Sequence, residues 1–123
     1  MNMNELAFTI RVGRQTFTTT FINGRGFLNA MCDCPAGKYE NFCRHRLDLL
    51  EGKTGGIVSD NQQEIGQLKM WLVGTRLEKA LETFYEAARE VTDARELNDA
   101  ARLDDAEAVF KAAKRGLSIA MHQ

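Results

Sequence analysis

"FLNAMCDCPAGKYENFCRHRLDLL", residues 27–50, holds all three cysteines of the chain and one of its two histidines. They fall as Cys32-x-Cys34, an eight-residue spacer, and Cys43-x-His45. Zinc takes four tetrahedral ligands from thiolate sulfur and imidazole nitrogen, usually supplied by two short chelating pairs. The spacer contains Gly37 and is long enough to turn the chain back. The stretch begins in an alternating pattern and ends in a helical one, so it places a candidate metal centre where a sheet meets a helix.

Working back towards the N-terminus, Leu6, Phe8, Ile10 and Val12 are apolar at every second position. Such alternation marks a half-buried strand. Gly13-Arg14 supplies the Gly-X pair of a two-residue type II′ turn. That turn pairs Val12 with Gln15, Ile10 with Phe17, Phe8 with Thr19 and Leu6 with Phe21, which puts the apolar set on one face. Asn23-Gly24-Arg25-Gly26 forms a second turn, and FLNAMC a third strand. Parity then sets Leu28, Ala30 and Cys32 on the face of Phe17 and Phe21. Cys34, two residues on, points the same way.

Working forward, FCRHRLDLLEG reads as a short helix with Leu47 and Leu50 on one side and Gly52 as its stop. Residues two apart point to opposite sides of a regular helix. Cys43 must therefore sit in the preceding turn and His45 in the first helical turn. Lys53 to Gly56 reads as a linker. From Asp60 the period changes, with Asp60 and Gln63 as a capping box. Met70, Val73, Leu77, Leu81, Phe84, Ala88 and Val91 recur at steps of three and four, beside a stripe of Ile65, Leu68 and Leu72. The expectation is one helix of about 30 residues, near 45 Å long. Asp93 and Glu96 form a second capping box, and Leu103, Ala106, Phe110, Ala113, Leu117 and Ala120 carry the second helix. Gly66 and Gly74 stand inside the first pattern, permitting either close helix approach or a kink.

The fold class is thus α+β. A three-stranded antiparallel meander and a short helix surround a structural zinc, and a long two-helix antiparallel hairpin follows. Residues 1–56 form the zinc-binding domain and 57–123 the hairpin. The hairpin's stripes are wider than one contact covers, so it either pairs with a second copy as a four-helix bundle or packs on its own zinc-bearing half. A homodimer is the economical expectation.

Other chemistry fits the cysteines less well. A redox Cys-x-Cys belongs with a thioredoxin-like β/α pattern, which is missing. A Cys/His nucleophile pair calls for an orienting partner and a substrate pocket. Three buried cysteines could simply pack as small hydrophobes, which leaves His45 unexplained. Four ligands with no open position describe a structural site, so the expectation is no enzyme.

The pattern Cys-x-Cys, spacer, Cys-x-His resembles the SWIM zinc finger over about residues 15–51, with strands before the first pair and an apolar helix after the second. The resemblance implies one zinc per chain, held by Cys32, Cys34, Cys43 and His45 in a ββα finger. SWIM fingers occur in bacterial helicase-like ATPases, transposase-related proteins and recombination factors, and are credited with binding DNA or protein. The resemblance does not reach the hairpin.

The 123 residues carry a net charge of −1, which excludes a strongly basic nucleic-acid binder. Residues 1–59 hold seven basic against five acidic residues, and 60–123 nine against twelve. Arg14, Arg25, Lys38, Arg44 and Arg46 would form a modest cationic patch beside the metal if their loops gather on one side. Tyr39 and Phe42 either tip the finger or cover the metal, and Trp71 and Tyr85 either anchor a partner or join a helix seam. The leading expectation is a zinc-stabilised, non-catalytic interaction protein (adaptor, regulator or inhibitor) that binds another macromolecule, a protein first, through the finger and hairpin. The alternative is a small dimeric DNA-binding regulator using the basic loops. No stretch resembles a signal peptide or membrane span, and an odd cysteine count argues against a disulfide framework, so a cytoplasmic location is expected.

Overall fold

A computed structural model describes residues 4–35 and 43–122. Strands β1 (Glu5–Val12), β2 (Gln15–Gly24) and β3 (Phe27–Cys32) form one antiparallel sheet in the order β1-β2-β3. The β1–β2 register matches the parity argument pair for pair: Val12 with Gln15, Ile10 with Phe17, Phe8 with Thr19, Leu6 with Phe21. Gly13 has φ +63 while Arg14 keeps a negative φ, which selects the type II′ turn over type I′. Phe21 pairs with Ala30 and Thr19 with Cys32, so the inner face reads Leu6, Phe8, Ile10, Thr19, Phe21, Leu28, Ala30 and Cys32, all buried. Val12, beside the turn, departs from this set and is 47 % exposed.

Both sheet edges are covered. Along β1, Arg11 N–H donates to Gly56 O, Val58 N–H to Thr9 O, Thr9 N–H to Ser59 Oγ and Asn61 Nδ2 to Ala7 O. The expected linker is therefore partly a sheet-edge cover, and Ile57 bridges to Ile10. Along β3, Ala30 N–H donates to Met121 O near the C-terminus. Covering matters because an open edge is a template for pairing with another chain.

Helix α1 (Arg44–Leu50) follows Cys43 and buries Leu47, Leu49 and Leu50 against the sheet's inner face. The single long helix expected from Asp60 is instead a 3-10 turn (Gln62–Glu64), α2 (Ile65–Leu72) and α3 (Arg76–Glu96). Val73 leaves the helix at ψ 128, and Gly74, at φ +79, completes a turn in which Thr75 N–H donates to Leu72 O. Thr75 then caps α3: its Oγ1 accepts from Glu78 N–H at 3.2 Å, and Glu78 Oε1 accepts from Gly74 N–H at 3.0 Å. The Asp60–Gln63 box is not used; Asn61 is the cap residue and sends its side chain to β1. As a consequence Met70 and Val73, expected in the buried stripe, are 71 % and 70 % exposed, while Ile65 and Leu68 face the core.

Helix α4 (Ala100–Ala120) returns antiparallel to α3. The reversal comes later than expected. Asp93 and Glu96 remain inside α3, Asn98 takes φ +54, and Asp99 Oδ1 accepts from Arg102 N–H at 3.0 Å. Arg102 forks onto Glu90 across the hairpin, and Val91, Ala94 and Ala106 close its outer end. At the inner end Leu77, Leu81, Phe84, Leu117, Ala120 and Met121 share one apolar cluster with the sheet, α1 and α2. The inner end of the hairpin thus packs on its own sheet.

Trp71 and Tyr85 are half-buried against that cluster. Tyr85 O–H donates to Glu51 Oε2 at 2.5 Å, tying α3 to the end of α1. Burial and the neighbouring Glu51 charge push the Tyr85 phenol above its ordinary range. Burial works against the Glu51 carboxylate, but the Tyr85 hydrogen bond and the Lys53 and Arg44 charges outweigh it and lower its pKa. The lowered acid stabilises the fold above its unfolded value of 4.5, and that contribution is lost as pH falls. The raised phenol contributes below its unfolded value of 10, and that contribution is lost as pH rises through the folded value. Tyr85→Phe is therefore expected to lower Tm most near neutral pH, with the difference shrinking towards both extremes. A pH-independent difference in Tm would show that the ionic component is negligible.

Candidate metal centre

The register that buries β3 brings Cys32 under the sheet beside Thr19, whose hydroxyl donates to Cys32 Sγ at 3.4 Å. Asp33 fastens the bend between the first two cysteines: its N–H reaches Thr18 O, and its carboxylate accepts from Thr18 N–H at 2.7 Å. Cys34 is turned in and 3 % exposed. Cys43 has extended backbone, φ −129 and ψ 119, as the cap residue of α1, and His45 lies in the first turn. This break in helical geometry at Cys43 lets residues two apart converge, as the spacing requires.

The three Sγ atoms and His45 Nδ1 all lie within 4.8 Å of one another. Cys34 Sγ is 3.4 Å from Cys43 Sγ, and Nδ1 is 3.7 Å from both Cys32 Sγ and Cys43 Sγ. With metal–ligand lengths of about 2.3 Å to sulfur and 2.0–2.1 Å to nitrogen, a tetrahedral zinc site has S–S and S–N edges near 3.8 and 3.6 Å. The cluster matches those edges to within about 1 Å, so the four residues form a site able to hold a metal ion. Phe17 stacks on the His45 ring, centroids 5.3 Å apart at 21°, and fixes its plane.

Electrostatics favours a cation here. The Cys32 thiol, shared with Cys43, holds the Cys43 pKa down at about 7 against the effect of burial. The same contact, with burial, pushes Cys32 up to about 12. The two shifts run in opposite directions because ionising one thiol opposes ionising the other. A divalent ion removes that opposition, because a coordinating thiol is deprotonated outright. The cavity beside His45, lined by Ile10, Asp48, Leu49, Lys53, Gly56 and Ile57, measures about 60 Å³.

No family model matches the chain, and comparison with curated proteins and with solved structures gives no match. The likeness to SWIM fingers therefore rests on the four ligand residues and the elements around them.

Among the described residues the expected cations do not gather. Arg14 and Arg25 are exposed, in turns at opposite ends of β2. A ten-residue strand separates them, roughly 33 Å at 3.3 Å per residue. Arg44 is exposed but paired with Asp48 at 2.9 Å and Glu51 at 3.6 Å. Arg46 is fully buried: its Nη1 donates to Ala30 O at 3.0 Å and to His122 Nε2 at 2.9 Å. Lys38, Tyr39 and Phe42 lie outside the described residues. The sequence reading missed Thr19 and Phe17 as supports of the site, although the strand register already put both on the cysteine face. It also missed Arg46, whose partners no local pattern reveals.

Among the described residues no helix is long and apolar enough to cross a membrane.

Proposed function

We propose that the chain is a zinc-stabilised interaction protein without catalytic activity, its SWIM-like finger holding one zinc ion and its surface binding another protein. The observation that carries this reading is the closed, buried set of three sulfurs and one nitrogen within 4.8 Å. Three soft thiolates with one imidazole select zinc over hard oxygen-seeking cations. Four protein ligands leave no coordination position for substrate or water, the arrangement of a structural rather than a catalytic site.

The role of zinc is to fix the β3–α1 junction on which the core is assembled. Function then belongs to the surfaces that the junction orients, with the helical hairpin as the second contributor and homodimerisation as its part. The dispersion of Arg14 and Arg25, the pairing of Arg44 and the burial of Arg46 argue for a protein partner over nucleic acid. Duplex affinity rests on several uncompensated cations.

Metal analysis of the purified protein is expected to give one zinc per chain, and cobalt replacement to give the visible bands of tetrahedral thiolate coordination. Protein lacking metal, or cobalt spectra of an octahedral oxygen site, would overturn the zinc reading. Random-sequence duplex is expected not to bind even at low salt. Binding with a steep salt dependence would instead support the DNA-regulator alternative.

A further inference from the structure

The three sulfurs of the cluster are not held alike. Cys32 lies inside β3, in register with Thr19, and its Sγ accepts from the Thr19 hydroxyl at 3.4 Å. Moving it would disturb the strand ladder. Cys34 lies in the bend beyond β3, and Cys43 has extended backbone just ahead of α1. Neither sits within a regular element, and eight residues join them. Their Sγ atoms are in contact at 3.4 Å, and all three cysteines are free thiols. A disulfide holds its sulfurs about 2.0 Å apart, so a closing movement of about 1.4 Å separates this pair from a covalent bond. The cysteine side chains are buried, which favours an oxidant close to water in size over a bulky one.

We propose that Cys34 and Cys43 are a reversible redox pair, which a small peroxide converts to a disulfide and which thereby sets whether the metal is retained. This switch rests on the reading of the four residues as a zinc site and is the regulation of that site. The chemistry is a two-electron oxidation of two thiols. One sulfur of the pair attacks a peroxide oxygen, the O–O bond breaks, and a sulfenic acid and one water form. The other sulfur then attacks the sulfenic sulfur. An S–S bond forms, the S–O bond breaks, and the hydroxyl leaves with a proton as the second water. Two thiols and one hydrogen peroxide thus give one disulfide and two waters. Each sulfur gives up one electron, and the peroxide oxygens accept both. Where the sulfurs start as thiolates, the two protons come from solvent. Cys32 and His45 then remain, two donors where a structural site needs four. Leu47, Leu49 and Leu50 of α1 follow Cys43 into the shared core, so loss of the site reaches the sheet and hairpin. A thiol reductant reopens the disulfide by exchange and restores the donor set.

Hydrogen peroxide titrated into the zinc-loaded full chain tests this, followed by the zinc retained on gel filtration, a thiol count and non-reducing peptide mapping. Loss of the one zinc is expected as free thiols fall from three to one. Mapping should place the bond between Cys34 and Cys43 and leave Cys32 as the thiol. Dithiothreitol with added zinc should restore metal content and Tm. Oxidised glutathione at the same concentration should release zinc at least about tenfold more slowly, because the sulfurs are buried. A chain that holds no zinc before oxidation would overturn the zinc reading and this switch with it. A zinc-loaded chain that resists peroxide, that gives sulfinic acid without a disulfide, or whose bond maps to Cys32 would leave the zinc reading standing and overturn the switch. Equal release by oxidised glutathione would overturn the assignment to a small peroxide.

Discussion

Cys43→Ser protein is expected to lose zinc binding and, with it, the ordered junction of β3 and α1. Cys43 does two things at once. Its extended backbone starts α1, and its Sγ stands 3.4 Å from Cys34 and 3.7 Å from the His45 nitrogen. A serine hydroxyl is a poor zinc ligand at neutral pH, and three remaining donors leave the site open to water. Structural zinc contributes on the order of 10–16 kcal/mol of apparent binding free energy, comparable with the whole stability of a domain of this size, about 5–15 kcal/mol. Loss of even a third of that lowers Tm by about 10 °C or more. The damage should spread. Leu47, Leu49 and Leu50 follow the ligands on α1 and belong to the same cluster as Leu77, Leu81, Phe84 and Leu117 of the hairpin. Chelation of wild-type zinc is therefore expected to loosen the sheet and the inner end of the hairpin in one transition, followed by hydrogen exchange. Metal-free protein with unchanged Tm and exchange would refute the structural role. Two separate transitions would show instead that the hairpin stands without the finger.

How much of this was legible beforehand follows from which interactions are local. Strand register was, because a side-chain period of two admits only two answers and Gly13 fixes the turn. The gathering of Cys32, Cys34, Cys43 and His45 was, because metal chemistry restricts residue type as well as spacing. The break at Gly74 was not. Met70, Val73 and Leu77 stay in step across it, so periodicity runs on while the backbone does not. The contrary signal was present in Gly74-Thr75 followed by Glu78, a turn glycine and a helix cap, and it outweighs the stripe because Thr75 and Glu78 satisfy backbone N–H groups at the start of a new helix. The Asp93–Glu96 box failed for the opposite reason. Val91 and Ala94 pack against Ala106, and burying them holds α3 helical past a capping signal. The cationic patch failed because residue type says nothing about direction. Arg46 lies between a metal ligand and Leu47 in a charged stretch that reads as surface.

The second large effect is expected at that arginine. Its guanidinium is fully buried, donating to Ala30 O, 16 residues away, and to His122 Nε2, 76 residues away. Because arginine can only donate, His122 Nε2 must accept, which places the imidazole proton of the neutral ring on Nδ1. Ala30 is also the residue whose N–H reaches Met121 O. Arg46 thus joins β3, α1 and the end of α4 at one point, two residues before Cys32 on the strand and one after His45 on the helix. Removing the buried donor leaves a neutral carbonyl and an imidazole nitrogen without it, and hydrogen bonds to a charged group contribute about 1.5–3 kcal/mol, above the 0–1 kcal/mol of a surface arginine. Arg46→Met, which keeps much of the volume, is expected to lower stability by about that larger amount. Arg46→Lys is expected to restore part of this loss, since both bonds leave from Nη1 and an ammonium also carries several donors. His122→Ala should cost about 1–3 kcal/mol alone. In the Arg46→Met background it should cost clearly less, because its partner is already gone. Urea unfolding of the four proteins in a double-mutant cycle measures the coupling. Additive effects, or an Arg46→Met protein as stable as wild type, would show that this contact does not hold the C-terminus of α4 to the metal-bearing half.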